Sequence, residues 1–67
     1  MKSKYSQRVI DIVYERGCAK RETIIDELAR ELGVPREKLD DVVSKTLKRL
    51  VKKGLIVKKA TGYYCKP

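Results

Sequence analysis

Four isolated glycines divide the sequence into segments in which apolar side chains recur at regular spacing. They stand at positions 17, 33, 54 and 62, and each follows a stretch with helical or strand periodicity. Glycine has no Cβ, so it can end a helix or shape a turn at little steric cost. Because the glycines are not clustered, they do not predict a phosphate-binding loop. They predict instead a chain of short elements that together form one small domain.

Two amphipathic helices are predicted before Gly33. The first runs from about Ser3 to Arg16, with Ser3 or Ser6 as its N-cap residue. Its inner face is expected to hold the apolar side chains of Tyr5, Val9, Ile12 and Val13. The second helix covers residues 21 to 32, ends at a Gly33 C-cap and turns Arg30 outward. Its inner face is expected to hold Ile24, Ile25, Leu28, Ala29 and Leu32.

A longer helix and a hairpin follow. Residues 35 to 53 predict about five helical turns, with Pro35 in the first turn. The apolar face of this helix comprises Leu39, Val43, Thr46, Leu47 and Leu50. The stretch LIVKKATGYYCK predicts two strands joined at KATG, with Tyr63 and Tyr64 on opposite faces. With CAK at 18–20 as a third short strand, the predicted order is helix, strand, helix, helix, strand, strand.

The chain resembles the winged helix-turn-helix DNA-binding family over nearly its whole length. The resemblance rests on ELARELGV as first helix and turn, on VVSKTLKRLVKKGLIV as recognition helix and first wing strand, and on TGYYC as returning strand. It implies one α+β domain over residues 1–67, with three helices and a small three-stranded antiparallel sheet, of the type found in small archaeal or archaeal-virus transcriptional regulators. Gly33 and Gly54 are 21 residues apart, about one helical turn more than the commonest family spacing. The family's base contacts therefore cannot be transferred position by position.

The net positive charge of the chain comes entirely from its last part. Residues 1 to 41 contain nine lysines or arginines and nine carboxylates, whereas residues 42 to 67 contain eight lysines or arginines and no carboxylate. The net charge of +8 therefore belongs to the second part. Charge that serves solubility would be interspersed with acids along the whole sequence. One-signed charge on a defined segment is typical of a polyanion site, with nucleic acid ahead of an anionic membrane.

The basic segment defines the predicted DNA-binding residues. On the third helix and the wing these are Ser44, Lys45, Lys48, Arg49, Lys52, Lys58 and Lys59. The start of that helix is acidic, with Glu37, Asp40 and Asp41 against Arg36 and Lys38. Carboxylates favour a helix N-terminus but are repelled by phosphates. We therefore expect the first one or two turns to stand off the DNA.

Double-stranded DNA binding, either sequence-specific or structure-tolerant, is the function that the sequence favours, with transcriptional regulation as its expected role. Two alternatives stay open. The acidic start of the third helix favours a winged-helix protein–protein interaction module of the replication or transcription machinery. A basic wing that contacts backbone geometry would also suit RNA.

Two further pairs of residues carry predictions. Ile10 and Tyr14 lie about 120 to 160° from the inner face of the first helix and predict an exposed apolar patch. Such a patch is either ordinary surface or a homodimer contact through that helix. The winged-helix resemblance makes the strands that contain Cys18 and Cys65 neighbours in the sheet. Two buried free thiols are expected there, with a disulfide bond as the alternative.

Catalysis, cofactor binding and membrane insertion are not expected. The chain has two cysteines and no histidine, too few ligands for a four-coordinate zinc site without carboxylates. The same deficit removes the usual base for a cysteine nucleophile, and the adjacent Asp40 and Asp41 point to different sides of their helix. No run of about 18 apolar residues predicts a membrane span. We expect an intracellular, cytoplasmic and nucleoid-associated protein, whose richness in Lys, Glu, Ile and Val is typical of hyperthermophiles.

Overall fold

The elements follow one another in the predicted order. The structure is a computed structural model that describes residues 4 to 67. These residues form the helices α1 (Lys4–Arg16), α2 (Arg21–Leu32) and α3 (Arg36–Lys52) and the strands β1 (Cys18–Lys20), β2 (Val57–Ala60) and β3 (Tyr63–Cys65). The strands pair antiparallel in the order β1-β3-β2. The predicted α+β class is confirmed, and the arrangement is consistent with a winged helix.

The helices enclose the hydrophobic core along the faces that their periodicity predicts. The predicted face of α3 is buried over its whole length, with every side chain at most 5% exposed: Leu39, Val43, Thr46, Leu47 and Leu50. α1 contributes Val9, Ile12 and Val13, and α2 contributes Ile24, Ile25 and Leu28. The hydroxyl of Thr46 donates a hydrogen bond of 2.8 Å to the carbonyl oxygen of Val42, so this polar group is satisfied within its own helix.

Several predictions at the helix ends are wrong. Leu32 is 42% exposed, because it lies at the last turn of α2, beyond the reach of the elements that cover Leu28. Ser6 lies inside α1 and is not its N-cap, and Ser3 lies outside the described residues. Pro35 is the N-cap residue of α3, with a polyproline-II-like φ of −59° and ψ of 143°, and is not part of its first turn.

The end of α2 agrees with the prediction. Gly33 has a left-handed backbone, with φ 66° and ψ 32°, and its N–H donates a hydrogen bond of 2.9 Å to the carbonyl oxygen of Ala29. A side chain would be strained in this conformation, whereas glycine adopts it readily. The chain reverses there, and α3 returns to pack against α2.

The sheet pairs β1, which follows α1, with β3, the last strand of the chain. Cys18 lies directly opposite Cys65 in the β1–β3 register, and their sulfur atoms form a disulfide bond. The structure therefore has the bridge that was the alternative to two free thiols. The reason is the register, since residues that face each other in an antiparallel pair project to the same side of the sheet. A one-residue shift would have separated the two sulfur atoms.

Truncation of Leu47 to alanine is expected to lower the free energy of unfolding by about 3 kcal/mol. Leu47 is fully buried in the middle of α3, so the change removes apolar contacts and leaves a cavity. Urea denaturation of Leu47→Ala against wild type measures the effect. Leu32→Ala is the matched control and is expected to cost much less, because Leu32 is already 42% exposed to solvent in the folded protein. Equal losses for the two variants would contradict the packing described above.

Candidate nucleic-acid interface

A row of cations occupies the solvent face of the second half of α3. Lys45, Lys48 and Lys52 recur at helical spacing on the side opposite the buried leucines, and Arg49 lies beside them. All four are exposed. The rise of an α-helix spreads them over about 10 Å along its axis. We call these four residues the basic stripe.

Most carboxylates of the protein are engaged elsewhere, in ion pairs with arginines. Arg8 binds Glu31 with Nε 2.9 Å from Oε1, and Arg16 binds Glu27, so that α1 is tied to α2. The hydrogen bond and the charge of Glu31 raise the pKa of Arg8 above its ordinary value. These pairs connect helices and neutralise each other locally, away from the basic stripe.

α2 and α3 are held together by a second group of ion pairs. Arg36 reaches Asp26, with Nε 3.0 Å from Oδ1, and also contacts Glu22. In the opposite sense of charge, Arg21 of α2 contacts the carboxylate of Asp40 in α3. The carboxylate of Asp40 thus faces α2 and not the solvent side of α3. At the beginning of α3, Arg36 and Asp40 therefore connect this helix to α2, whereas Asp41 pairs within α3.

The basic stripe takes part in the ion pairing of residues 4–67 at one point. Lys45 Nζ lies 3.2 Å from Asp41 Oδ2, one helical turn away, and both side chains are well exposed. No described carboxylate pairs with Lys48, Arg49 or Lys52. Their charge is therefore open to an external anion.

Ser44 is placed differently from the other predicted DNA-binding residues. Its Oγ accepts a hydrogen bond of 2.9 Å from Nε of Arg21, and the side chain is half-buried. It belongs to the contact between α2 and α3, so we leave it out of the basic stripe. Arg21 is a residue that sequence reasoning missed. Nothing in the local sequence indicates that a residue at the strand–helix junction would bind partners some twenty positions later.

The wing is short and attached to the body at its tip. Lys58 lies opposite Tyr64, and Lys59 forms a β-bulge before Ala60 pairs with Tyr63. Both lysines are exposed, and the described residues offer them no carboxylate partner. The carbonyl oxygen of Gly62 in the turn accepts a hydrogen bond of 2.8 Å from the N–H of Arg21. The wing is thus fixed to the start of α2 and carries its cations on the edge strand β2.

The two tyrosines of β3 face opposite sides, as predicted. Tyr64 packs against the core together with its partner Ala19, whereas Tyr63 is 37% exposed on the outer face. Lys20 lies directly opposite Tyr63 in β1 and is also exposed. This lysine adds a cation to the outer face of the sheet that was not among the predicted site residues.

The predicted apolar patch on α1 is not present in the form expected. Ile10 is half-buried and packs against the core, because α1 contacts α2, α3 and the sheet on several sides. Tyr14 remains 41% exposed, and its hydroxyl donates a hydrogen bond of 2.7 Å to the carbonyl oxygen of Leu55. Of the predicted pair, Tyr14 is therefore exposed, whereas Ile10 is partly covered. A homodimer through α1 stays a prediction.

Other kinds of site receive little support from the described residues. An open groove of about 570 Å³ lies between the starts of α2 and α3, but four of its charged side chains, Arg21, Glu22, Arg36 and Asp40, pair with one another or with neighbours. No group of three or more Cys, Asp or Glu side chains within residues 4–67 could hold a metal ion. No helix in this part of the chain is long and apolar enough to cross a bilayer.

Comparison of the chain with protein families, curated proteins and solved structures found no match. Its chemistry must therefore be argued from its own residues.

Proposed function

We propose that the protein binds double-stranded DNA through the basic stripe of α3 and the wing lysines Lys58 and Lys59. One observation carries the proposal. Within residues 4–67, seven of the nine carboxylates are engaged in ion pairs, mainly with arginines between helices, while most of the stripe and the wing lysines have no carboxylate partner there. Cations without carboxylate partners, placed in a row on the exposed face of a helix, suit a row of phosphates.

The dimensions of α3 fit this role. An α-helix with side chains is about 10–12 Å wide, and the major groove of B-form DNA is about 12 Å wide. A helix lying in or along the groove places cations from successive turns near phosphates of the groove edge. The wing lysines would reach a further part of the backbone. Each contact releases a condensed counterion, which supplies affinity and makes it dependent on salt.

The acidic beginning of α3 limits where the contacts lie. Asp40 is held by Arg21, and Asp41 faces the same solvent side as Lys45. We propose that the DNA contacts begin at Lys45 and continue toward the C-terminus of α3. A protein that binds in this way would associate with the nucleoid and would influence transcription where it occupies promoters.

Fluorescence anisotropy with a labelled duplex tests the proposal. If the three stripe residues without a carboxylate partner and the two wing lysines each neutralise a phosphate, the logarithm of the binding constant falls with the logarithm of salt concentration at a slope of about −4.5. Lys38→Glu serves as a boundary control, because Lys38 lies on α3 before Asp41 and should stand off the DNA. Failure to bind duplex DNA at about 50 mM salt would refute the proposed function.

Substitution of Asp41 by asparagine is expected to strengthen DNA binding. The change removes a negative charge next to the basic stripe and releases Lys45 from its ion pair. One additional phosphate contact corresponds to an increase of up to about eightfold at about 0.1 M salt and to a steeper salt dependence. Glu37→Gln is the matched control, because it removes a carboxylate of α3 that forms no ion pair within the described residues. An unchanged or weaker affinity of Asp41→Asn would place the DNA away from this part of α3.

A further inference from the structure

The side chains that distinguish one base pair from another are scarce in this protein. In the major groove arginine or lysine can bond guanine, and asparagine and glutamine read adenine through two hydrogen bonds. The planar fork of arginine fixes the geometry of such a contact, whereas lysine is a flexible point charge. The sequence contains no asparagine and a single glutamine, Gln7. The amide of Gln7 donates a hydrogen bond of 3.0 Å to Asp11 on α1, away from the basic stripe. Adenine therefore lacks its usual reader on α3 and the wing.

Most arginines form ion pairs within the folded protein and are not free to contact bases. Of the six in the sequence, Arg8, Arg16, Arg21 and Arg36 form ion pairs between described residues. Arg30 lies on the solvent face of α2. This leaves Arg49 as the guanidinium of the basic stripe, and the other three members are lysines.

The short polar side chains of α3 are engaged as well. The hydroxyl of Thr46 is buried and donates to the carbonyl oxygen of Val42, and Oγ of Ser44 accepts from Arg21. At the beginning of the helix, where a recognition helix usually contacts bases, the exposed carboxylate without a described ion-pair partner is that of Glu37. A carboxylate reads cytosine but is repelled by the flanking phosphates.

We infer that the protein binds duplex DNA with little regard to base sequence, through the phosphate backbone. This inference rests on the proposed function and specifies its substrate class. Lysine is a flexible point charge that neutralises phosphate without a fixed hydrogen-bond geometry, so phosphate contacts from a stripe of lysines carry no direct sequence information. The role is then that of a DNA-coating or architectural protein. Any effect on transcription would depend on how densely the DNA is covered, not on an operator.

Selection from a library of random duplexes, followed by anisotropy on individual sequences, tests the inference. Affinities for unrelated duplexes of equal length are expected to agree within about tenfold, whereas specific binding exceeds non-specific binding by about 10³-fold or more. Arg49→Lys is expected to change the affinities for unrelated duplexes by the same factor, because Arg49 supplies charge to a phosphate and no contact to a base. Arg30→Lys is the matched control on α2.

Three other results would each contradict a different part of the proposal. Enrichment of one sequence motif, with loss of that preference in Arg49→Lys, would overturn the inference and leave duplex DNA binding intact. Absence of binding to any duplex at low salt would overturn the proposed function itself. Tighter binding to an A-form RNA duplex than to DNA of the same length would overturn the choice of DNA as the partner.

Discussion

Replacement of Lys48 and Lys52 together by glutamate is expected to weaken duplex DNA binding by about 60-fold or more at about 0.1 M salt. Both side chains lie on the solvent face of α3, one helical turn apart, and no described carboxylate pairs with them. The change removes two phosphate contacts and adds two repulsive charges. The salt dependence should become shallower by about 2 in slope, because two fewer counterions are released. Fluorescence anisotropy over a range of salt concentrations measures both quantities.

A second double variant, Arg30→Glu with Lys66→Glu, separates this effect from that of net charge. It changes the total charge by the same amount, but its residues lie on α2 and after β3. We expect a small loss of affinity at low salt and an unchanged slope. If this control weakens binding as much as the α3 variant, affinity depends on overall charge and the basic stripe is not the contact surface. Circular dichroism of both variants confirms that the fold is retained.

Loss of the Cys18–Cys65 bond is expected to lower the free energy of unfolding by about 4 kcal/mol on the chain-entropy account. The bond links positions 47 residues apart and closes a loop that contains α2, α3 and the hairpin. A domain of this length has a total stability of roughly 3 to 10 kcal/mol, so the change approaches the stability of the whole fold. α1 lies outside the closed loop and is held by its packing and its ion pairs.

Thermal unfolding measures this effect, with and without a thiol reductant. Wild type in reductant and the Cys18→Ser/Cys65→Ser variant should both unfold at much lower temperature than oxidised wild type. Reductant should not affect the double variant, which controls for other actions of the thiol. Mass spectrometry of the unreduced protein should give a mass about 2 Da below that of the reduced chain, since the bond removes two hydrogens. Equal stability of oxidised and reduced wild type would contradict the prediction.

The features of the fold that depend on local periodicity could be predicted from the sequence. The buried face of α3 was correct from Leu39 to Leu50, because spacing around a helix determines which residues share a side. Periodicity says nothing about how far along the axis a neighbouring element extends, and for that reason Leu32 was misplaced. Periodicity also does not tell how much of a helix's surface is covered by neighbouring elements. Ile10 is half-buried because α1 has neighbours on several sides.

The candidate site was predictable in its charge but not in its pairing. The absence of acid after Asp41 located the basic stripe and the wing lysines directly in the sequence. The positions of Ser44 and Asp40 toward α2 depend on Arg21, a partner about twenty residues away that only the packing of α2 on α3 brings near. The disulfide likewise required the strand register, because the order of strands alone leaves a shift of one residue undetermined.

The bulged edge strand β2 has a consequence for self-association. β2 has β3 on one side, and its other edge presents unpaired backbone groups within the described sheet. Exposed edges of this kind pair with strands of other molecules unless charge or irregular geometry prevents it. Lys58 and Lys59 supply the charge, and the bulge at Lys59 supplies the irregularity. We therefore expect the same two lysines that we assign to phosphate also to oppose edge-to-edge pairing between copies of the protein.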